Sequence, residues 1–378
     1  MKGNSLLRLQ TFGQSIWLDF IRRGMLASGE LQQMIEQDGL RGVTSNPSIF
    51  DKAIAGSHDY DEAIEALSHK GEKPEELYEE LAVEDVQHAA DLFRPLYDRS
   101  DGRDGFVSLE VNPRLAYDSY GTVAEARRLW AKLNRPNVMI KVPATFAGLP
   151  AIRRLIAEGI NVNVTLLFDL GRYREVAQAY LSGLETRATR GQALDRVASV
   201  ASFFLSRIDT LVDPMLERIV QRGGPHAQSA KALIGQSAIA SAKIAYQIYR
   251  ETFGGERFNK LAANGARTQR LLWASTSTKN PAYSDVKYVE PLIGPETVNT
   301  LPLETLTAYR DHGDPAPRLT ENVQEYRRVF ARLPEVGIDM DAVMQQLEEE
   351  GVRKFVEPFD HLVATLEDRC MVGAGSHW

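Results

Sequence analysis

Short apolar runs rich in β-branched residues alternate along the chain with longer amphipathic stretches. A run of this length and composition, bounded by turn residues, is typical of a buried β-strand. The pattern predicts eight strands, at Ser15–Phe20, Gly42–Ser48, Phe106–Val111, Val138–Val142, Ile160–Phe168, Val197–Phe204, Arg270–Thr276 and Val298–Leu301.

The stretches between the runs have helical periodicity. Predicted helices cover Ser28–Asp38, Tyr60–Tyr97 with a break near Gly71 and Pro74, Thr122–Leu133, Leu149–Glu158, Pro214–Arg222, Ala227–Phe253 and most of 320–369. Strands alternating with helices indicate an α/β fold with a parallel sheet, and eight such units favour a TIM (β/α)₈ barrel. An open doubly wound sheet has the same local pattern, so periodicity alone does not choose between them. No linker divides the chain, which predicts one domain over 1–378 with a helical C-terminal extension at 320–370.

Polar residues interrupt the predicted strands, although buried parallel strands are normally almost continuously apolar. Many recur at every second position, which places them on one face of their strand. In a barrel, inward-facing side chains near the carboxyl ends of the strands form the active site. The candidates are Asp19, Thr44, Asn46, Ser108, Glu110, Asn112, Lys141, Asn161, Asn163, Thr165, Ser202, Arg207, Ser275, Ser277 and Lys279.

Lys141 is the most unusual of these residues, because it lies inside the apolar strand Val-Met-Ile-Lys-Val-Pro. Burial favours the neutral amine, which can attack a carbonyl carbon. An ion pair with Glu110 that only stabilises the core remains an alternative from the strand alone. The two carboxylates, Asp19 and Glu110, are suited to acid–base catalysis beside such an amine.

Composition narrows the class of protein. The 378 residues carry a net charge of −7, which argues against nucleic acid or an anionic membrane as a partner. A single cysteine, Cys370, excludes an intrachain disulfide and fits a reducing compartment. The chain has no apolar stretch of membrane-spanning length and no signal-peptide pattern at its N-terminus, so we expect a cytoplasmic protein. The histidines lack metal-ligand spacing, and no nucleotide-binding glycine motif is present, so no metal or cofactor is expected.

Several segments together resemble the transaldolase family. Gly42–Ser48 resembles its Asn-Pro signature, and Val138–Thr145 resembles its Schiff-base strand. The fifth and sixth strands and the last two strand segments are also similar, in the same order along the chain; these are Asn161–Phe168, Ala201–Arg207, Trp273–Asn280 and Leu292–Thr300. An ordered series of motifs is far more specific than any one of them.

The resemblance implies an enzyme that transfers a dihydroxyacetone unit from sedoheptulose 7-phosphate to glyceraldehyde 3-phosphate. Lys141 would form the Schiff base, Asp19 would take the proton from the C4 hydroxyl, and Glu110 with Thr165 would position a catalytic water. The bound three-carbon unit would be held by Asn46 and Asn163 and lined by Thr44, Ser202 and Phe204.

The implied phosphate site departs from the family pattern at one position. Arg207 fits the arginine that follows the sixth strand, but the family's Ser-x-Arg after the seventh strand is Ser277-Thr278-Lys279 here. A lysine supplies the charge without the bidentate geometry of a guanidinium. Sugar phosphates are therefore the expected partners, and the sequence leaves open whether the protein is a monomer or a homodimer.

Two other functions remain possible. A fructose 6-phosphate aldolase would release free dihydroxyacetone, but such enzymes usually carry Tyr where Glu110 stands and are shorter. A barrel that binds sugar phosphates without catalysis would not need the combination of Lys141, Asp19 and Glu110.

Overall fold

The computed structural model describes residues 4–375, with side chains described up to Cys370. Eight parallel strands form a closed barrel in which each strand pairs with its neighbours in sequence and β8 closes on β1. The strands are β1 Gln14–Leu18, β2 Gly42–Val43, β3 Phe106–Glu110, β4 Val138–Pro143, β5 Val162–Leu167, β6 Ser199–Phe204, β7 Arg270–Ala274 and β8 Thr297–Leu301. The TIM-barrel prediction is confirmed, and each predicted run overlaps one strand.

Helices surround the barrel and follow the strands in sequence. They are α1 Ser5–Thr11, α2 Arg23–Ala27, α3 Glu30–Gln33, α4 Pro47–Ala55, α5 Asp61–Ser68, α6 Pro74–Arg99, α7 Ser119–Leu133, α8 Gly148–Glu158, α9 Leu170–Thr189, α10 Ser206–Arg222, α11 Ala227–Leu233, α12 Ser237–Phe253, α13 Glu256–Ala262, α14 Leu303–His312, α15 Val323–Glu335 and α16 Met340–Gly375. A π-helical turn spans Met34–Asp38, and short 3₁₀ turns span Pro113–Leu115 and Glu290–Leu292. Within residues 4–375, no helix is long and apolar enough to cross a membrane.

The second strand is shorter than predicted. It ends at Val43, and the segment assigned to its second half begins helix α4 instead. Asn46 is the N-cap of this helix and accepts a hydrogen bond from the amide of Ile49 at 3.1 Å, while Pro47 occupies the first turn. Asn followed by Pro is a strong helix-start signal, which the strand prediction did not use.

Three helical predictions also differ in their bounds. Helix α10 begins at Ser206, eight residues before the predicted start at Pro214. The predicted helix Ala227–Phe253 is two helices, and Gly235 lies between them with a positive φ of 72°. The predicted C-terminal helical extension consists of α15 and α16. Helices α1, α2, α4, α9, α13 and α14 were not predicted.

A buried ion pair closes the amino-terminal end of the barrel. Arg270 contacts Asp104 at 3.0 Å, and both side chains are hydrogen-bonded to the hydroxyl of Ser15. Charges this deep are stable only when they are paired and hydrogen-bonded. The ion pair therefore fills the amino-terminal end of the barrel with groups that satisfy one another.

Strand register aligns the candidate residues at that carboxyl end. Glu110 pairs with Lys141, and Lys141 pairs with Asn163, so three neighbouring strands present these residues at one level. Above them β5 contains a bulge, where Leu166 adopts a positive φ of 54°. A positive φ is uncommon for a residue other than glycine, and residues strained in this way cluster at functional sites.

Candidate active site

The amine of Lys141 is enclosed at the base of the barrel mouth. The residue is only 3% exposed, and its Nζ donates a hydrogen bond to the carbonyl oxygen of Ser45 at 3.0 Å. Its second polar neighbour is Glu110, whose Oε2 lies 3.4 Å from Nζ. Lys141 therefore makes the predicted contact with Glu110, and the amine that makes it is the one predicted to react with a carbonyl carbon.

Glu110 has an unusual environment for a carboxylate. Burial raises the pKa of Glu110 to about 7, although the neighbouring Lys141 acts to lower it. Neither carboxylate oxygen accepts a hydrogen bond from the described protein groups. A carboxyl group with a pKa near neutrality can give and take a proton during turnover.

Asp19 lies just beyond the end of β1 and is held by a chain of hydroxyl groups. Thr44 Oγ1 donates to Asp19 Oδ1 at 2.6 Å, and the hydroxyl of Thr300 lies 2.7 Å from Thr44 Oγ1. Burial raises the pKa of Asp19, whereas the hydrogen bond from Thr44 and the charge of Lys141 lower it. The carboxylate is thus fixed in one orientation beside the buried amine.

A layer of hydrogen-bonded polar residues supports this group from below. Asn163 donates to the hydroxyl of Ser108 at 3.0 Å and accepts from the hydroxyl of Ser202 at 2.6 Å. Thr165, two residues further along β5, has a buried hydroxyl with no hydrogen-bond partner among the described residues. The amide oxygen and one amide hydrogen of Asn163 are therefore bonded to protein groups, while the Thr165 hydroxyl is available to a ligand.

A cavity of about 430 Å³ opens above Lys141. This volume falls within the roughly 300–1,000 Å³ of small-molecule sites. Its walls include Asp19, Thr44, Asn46, Lys52, Lys141, Thr165, Ser202, Phe204, Arg207, Ser277, Lys279, Thr300, Glu304 and Phe355. Glu110 lies on its other side against a second cavity of about 600 Å³ between α6 and α7, so this residue separates the two spaces.

Besides Lys141, the cavity wall carries three basic side chains, Lys52, Arg207 and Lys279, although the protein as a whole is acidic. Arg207 is the second residue of α10, and the positive end of the helix dipole also favours an anion beside it. Its guanidinium lies 5.4 Å from the ring of Phe204, and its Nη1 has no hydrogen-bond partner among the described residues. Lys279 donates to the hydroxyl of Ser277. Burial, together with the charges of Arg207 and Lys52, lowers the pKa of Lys279, against the opposite effect of Glu304.

Five of the sequence candidates do not line the cavity above Lys141. Ser108, Glu110 and Asn163 lie beside or beneath Lys141, whereas Asn161 and Asn112 lie further away. Asn161 is at the start of β5, where it bonds the backbone of Pro136, Val138 and Ala198. Asn112 caps the 3₁₀ turn after β3 through the amide of Arg114. Asn161 and Asn112 both lie on the period-two polar face of their strands. Asn161, however, is too close to the amino end of β5 to reach the cavity, and Asn112 lies beyond the carboxyl end of β3.

Sequence reasoning missed other residues that the structure brings to the cavity. Phe355 comes from the C-terminal helix and Lys52 from α4, so neither lies on a strand. Thr300 lies on β8, where its alternation with Val298 was an available signal. No local pattern in the sequence distinguishes Phe355 from the other apolar residues of its helix.

Comparison with known proteins identifies the family. The family model described as Transaldolase/Fructose-6-phosphate aldolase matches residues 16–366. The chain belongs to this family. It is 48% identical over 373 residues to a transaldolase of Trichodesmium erythraeum, covering 98% of both chains. It is also 50% identical over 354 residues to a transaldolase of Thiobacillus denitrificans, covering 94% of this chain and 97% of that one.

The described part of the chain holds no cluster of three or more His, Cys, Asp or Glu residues arranged to bind a metal.

Proposed function

We propose that this protein is a transaldolase that transfers a dihydroxyacetone unit from sedoheptulose 7-phosphate to glyceraldehyde 3-phosphate. The observation that carries the proposal is the buried Lys141 amine, 3.4 Å from Glu110, on the floor of a cavity whose wall carries Arg207 and Lys279. This arrangement suits a phosphorylated ketose, with its carbonyl carbon at the amine and its phosphate at the cations. We also propose that the chain acts as one domain and in the cytoplasm.

Schiff-base formation is the first step. The Lys141 amine adds to the ketose C2 carbonyl to give a carbinolamine, and loss of water gives a cationic iminium. Glu110, with its raised pKa, protonates the departing hydroxyl and retains the water with the help of the unpartnered Thr165 hydroxyl. When the iminium is hydrolysed, the same groups return the water to C2.

Carbon–carbon bond cleavage follows. Asp19 takes the proton from the C4 hydroxyl, the C3–C4 bond breaks, and its electron pair moves toward the iminium nitrogen to form an enamine. The aldehyde product departs, and the enamine carbon then attacks the carbonyl carbon of the acceptor aldehyde. Asp19 returns its proton to the new alkoxide, so the same carboxyl group serves both directions. The hydrogen bond from Thr44 keeps that carboxylate oriented throughout.

Phosphate recognition is assigned to Arg207, Lys279 and Ser277, with Lys52 as an additional cation at the entrance. The free Nη1 of Arg207 is a donor without a protein acceptor, as expected of a group reserved for a ligand. Asn46 presents its amide to the cavity while its oxygen caps α4, which leaves its NH₂ group for a substrate hydroxyl. Asn163 and Ser202 then act mainly by shaping the floor.

A fructose 6-phosphate aldolase is the second candidate, because the matched family contains both activities. Glu110 favours transfer, because its carboxyl group can exchange protons with the water released by Schiff-base formation, so that no tyrosine is needed for this step. A coupled assay with sedoheptulose 7-phosphate, with and without glyceraldehyde 3-phosphate, separates the two. Erythrose 4-phosphate formed at a catalytic rate only with the acceptor supports the transferase. Equal rates with free dihydroxyacetone as product indicate the aldolase, and binding without turnover indicates a non-catalytic barrel.

A further inference from the structure

The C-terminal helix α16 docks on the barrel through one apolar stripe. Buried side chains recur mostly at intervals of three or four residues, with Gly351 completing the series between Leu347 and Phe355; the apolar members are Val343, Met344, Leu347, Val352, Phe355, Phe359, Leu362 and Leu366. This spacing places them on one face of the helix. Polar contacts fix the helix at several points of the rim, including Asp360 with Arg114 at 2.7 Å and His361 with Asp51 at 2.7 Å.

A glycine lets this helix approach the rim closely. A Cβ atom at Gly351 would lie 3.2 Å from Leu166 Cδ2 and 3.4 Å from the ring of Phe168. These are tight contacts with the residues that follow Thr165 on β5. One helical turn later, Phe355 occupies the same face of α16, since residues four apart lie one above the other.

Of the residues of the stripe, Phe355 lines the cavity above Lys141, whereas Phe359 lines the separate cavity on the far side of Glu110. The ring centroid of Phe355 lies 5.5 Å from Lys141 Nζ and 6.0 Å from Arg207 Cζ, and it forms part of the cavity wall. Phe355 is 3% exposed, and its ring lies between the Lys141 amine and the solvent-facing side of α16.

We propose that Phe355 is a specificity-determining residue that shields the Lys141 enamine from solvent and thereby favours transfer over release. The inference rests on the proposed function.

Transfer and release differ in the bond formed by the enamine carbon. In transfer it bonds to the acceptor aldehyde carbon. In release it bonds to a proton from solvent, while Asp19 gives up to solvent the proton it took from the C4 hydroxyl. In both cases water then adds to the iminium carbon, the carbon–nitrogen bond breaks, and the lysine amine is regenerated.

The apolar ring of Phe355 hinders only one of these two bonds, the one between the enamine carbon and a solvent proton. An acceptor aldehyde enters through the cationic end of the cavity, where its phosphate is bound by Arg207 and Lys279. A solvent proton reaches the enamine carbon only through water beside it. Excluding water from a closed site suppresses such side reactions. Removing the Phe355 ring above Lys141 therefore lets water reach the enamine carbon and accelerates its protonation, whereas the rate of transfer to the acceptor does not increase.

The test compares release with transfer in the full-length enzyme. Fructose 6-phosphate is the donor; release is the glyceraldehyde 3-phosphate formed without acceptor, and transfer is the sedoheptulose 7-phosphate formed with erythrose 4-phosphate. Phe355→Ala is expected to raise the release-to-transfer ratio about tenfold, equivalent to about 1.4 kcal/mol between the two barriers. Phe355→Leu, which keeps most of the apolar cover, is expected to give a smaller rise.

Phe359→Ala is the matched control. Phe359 lies one turn further along the same stripe and is equally buried, but it packs on Tyr78 and Arg114 rather than over Lys141. Its removal should leave the ratio at the wild-type value. Borohydride trapping counts the competent sites in each variant, and if Phe355→Ala does not fold, Phe355→Leu decides.

An unchanged ratio in the folded Phe355 variants, or an equal rise in Phe359→Ala, would overturn the inference. In either case the wild-type enzyme would still transfer and still trap the donor, so the proposed function would stand. Absence of transfer and of trapping in the wild type would instead refute the proposed function itself.

Discussion

Replacing Thr44 with valine tests the assignment of Asp19 as the base. Thr44 Oγ1 donates to Asp19 Oδ1 at 2.6 Å, and the Thr300 hydroxyl supplies the next hydrogen bond in the chain. Valine has nearly the same shape as threonine but has no donor. The substitution therefore removes one hydrogen bond from the carboxylate with little change in packing.

The magnitude follows from the bond that is lost. A hydrogen bond to a charged group contributes about 1.5–3 kcal/mol, and one pKa unit corresponds to about 1.4 kcal/mol. Burial raises the pKa of Asp19, and the hydrogen bond from Thr44 opposes that rise, so removing the hydrogen bond raises the pKa further. Because cleavage requires the ionised carboxylate, the acidic limb of the kcat profile should move to higher pH.

The assay is the pH dependence of kcat for donor cleavage in the presence of saturating acceptor. Thr300→Val is the control, since it leaves the Thr44 donor in place and is expected to shift the limb by much less. An acidic limb in Thr44→Val that coincides with the wild-type limb would refute the role of Asp19. Equal shifts in both variants would show that the direct hydrogen bond is not the cause.

Three other substitutions test the rest of the site. Arg207→Met should lower kcat/KM for sugar phosphates by about 10- to 100-fold, because charged hydrogen bonds are lost, while activity on dihydroxyacetone as donor falls far less; equal losses would exclude a phosphate role. Lys52→Ala should raise KM for sugar phosphates only about two- to fivefold, as expected for a more exposed charge, and a larger loss confined to kcat would contradict this placement. For Glu110, the rate of borohydride inactivation in the presence of donor should fall as pH rises through about 7, where its carboxyl loses the proton needed for dehydration. Glu110→Gln should remove that inflection, and its persistence would assign it to another group.

The strands and the reactive lysine could be predicted because their signals are local. Eight apolar runs are visible directly, and a lysine within an apolar strand is costly unless it is used or paired. The period-two face also identified Glu110 and Thr165. It could not distinguish the two ends of a strand, however, and Asn161 was included although it lies four residues before Thr165, near the amino end.

The parts that could not be predicted depend on contacts between distant segments. Phe355 reaches Lys141 across more than half of the chain, and its position depends on how closely Gly351 lets α16 approach β5. Lys52 enters the site because the second strand ends early and α4 begins at Pro47, directly after its N-cap Asn46. Both facts follow from three-dimensional packing and leave no periodic signal in the sequence.

The account depends above all on a covalent bond between the substrate and Lys141. Incubation with fructose 6-phosphate and borohydride, followed by peptide mapping, measures this directly. We predict a single reduced three-carbon adduct on the peptide that contains Lys141, and none in Lys141→Ala, whose fold should be retained. An adduct on a different lysine, or transfer activity that survives in Lys141→Ala, would contradict the account.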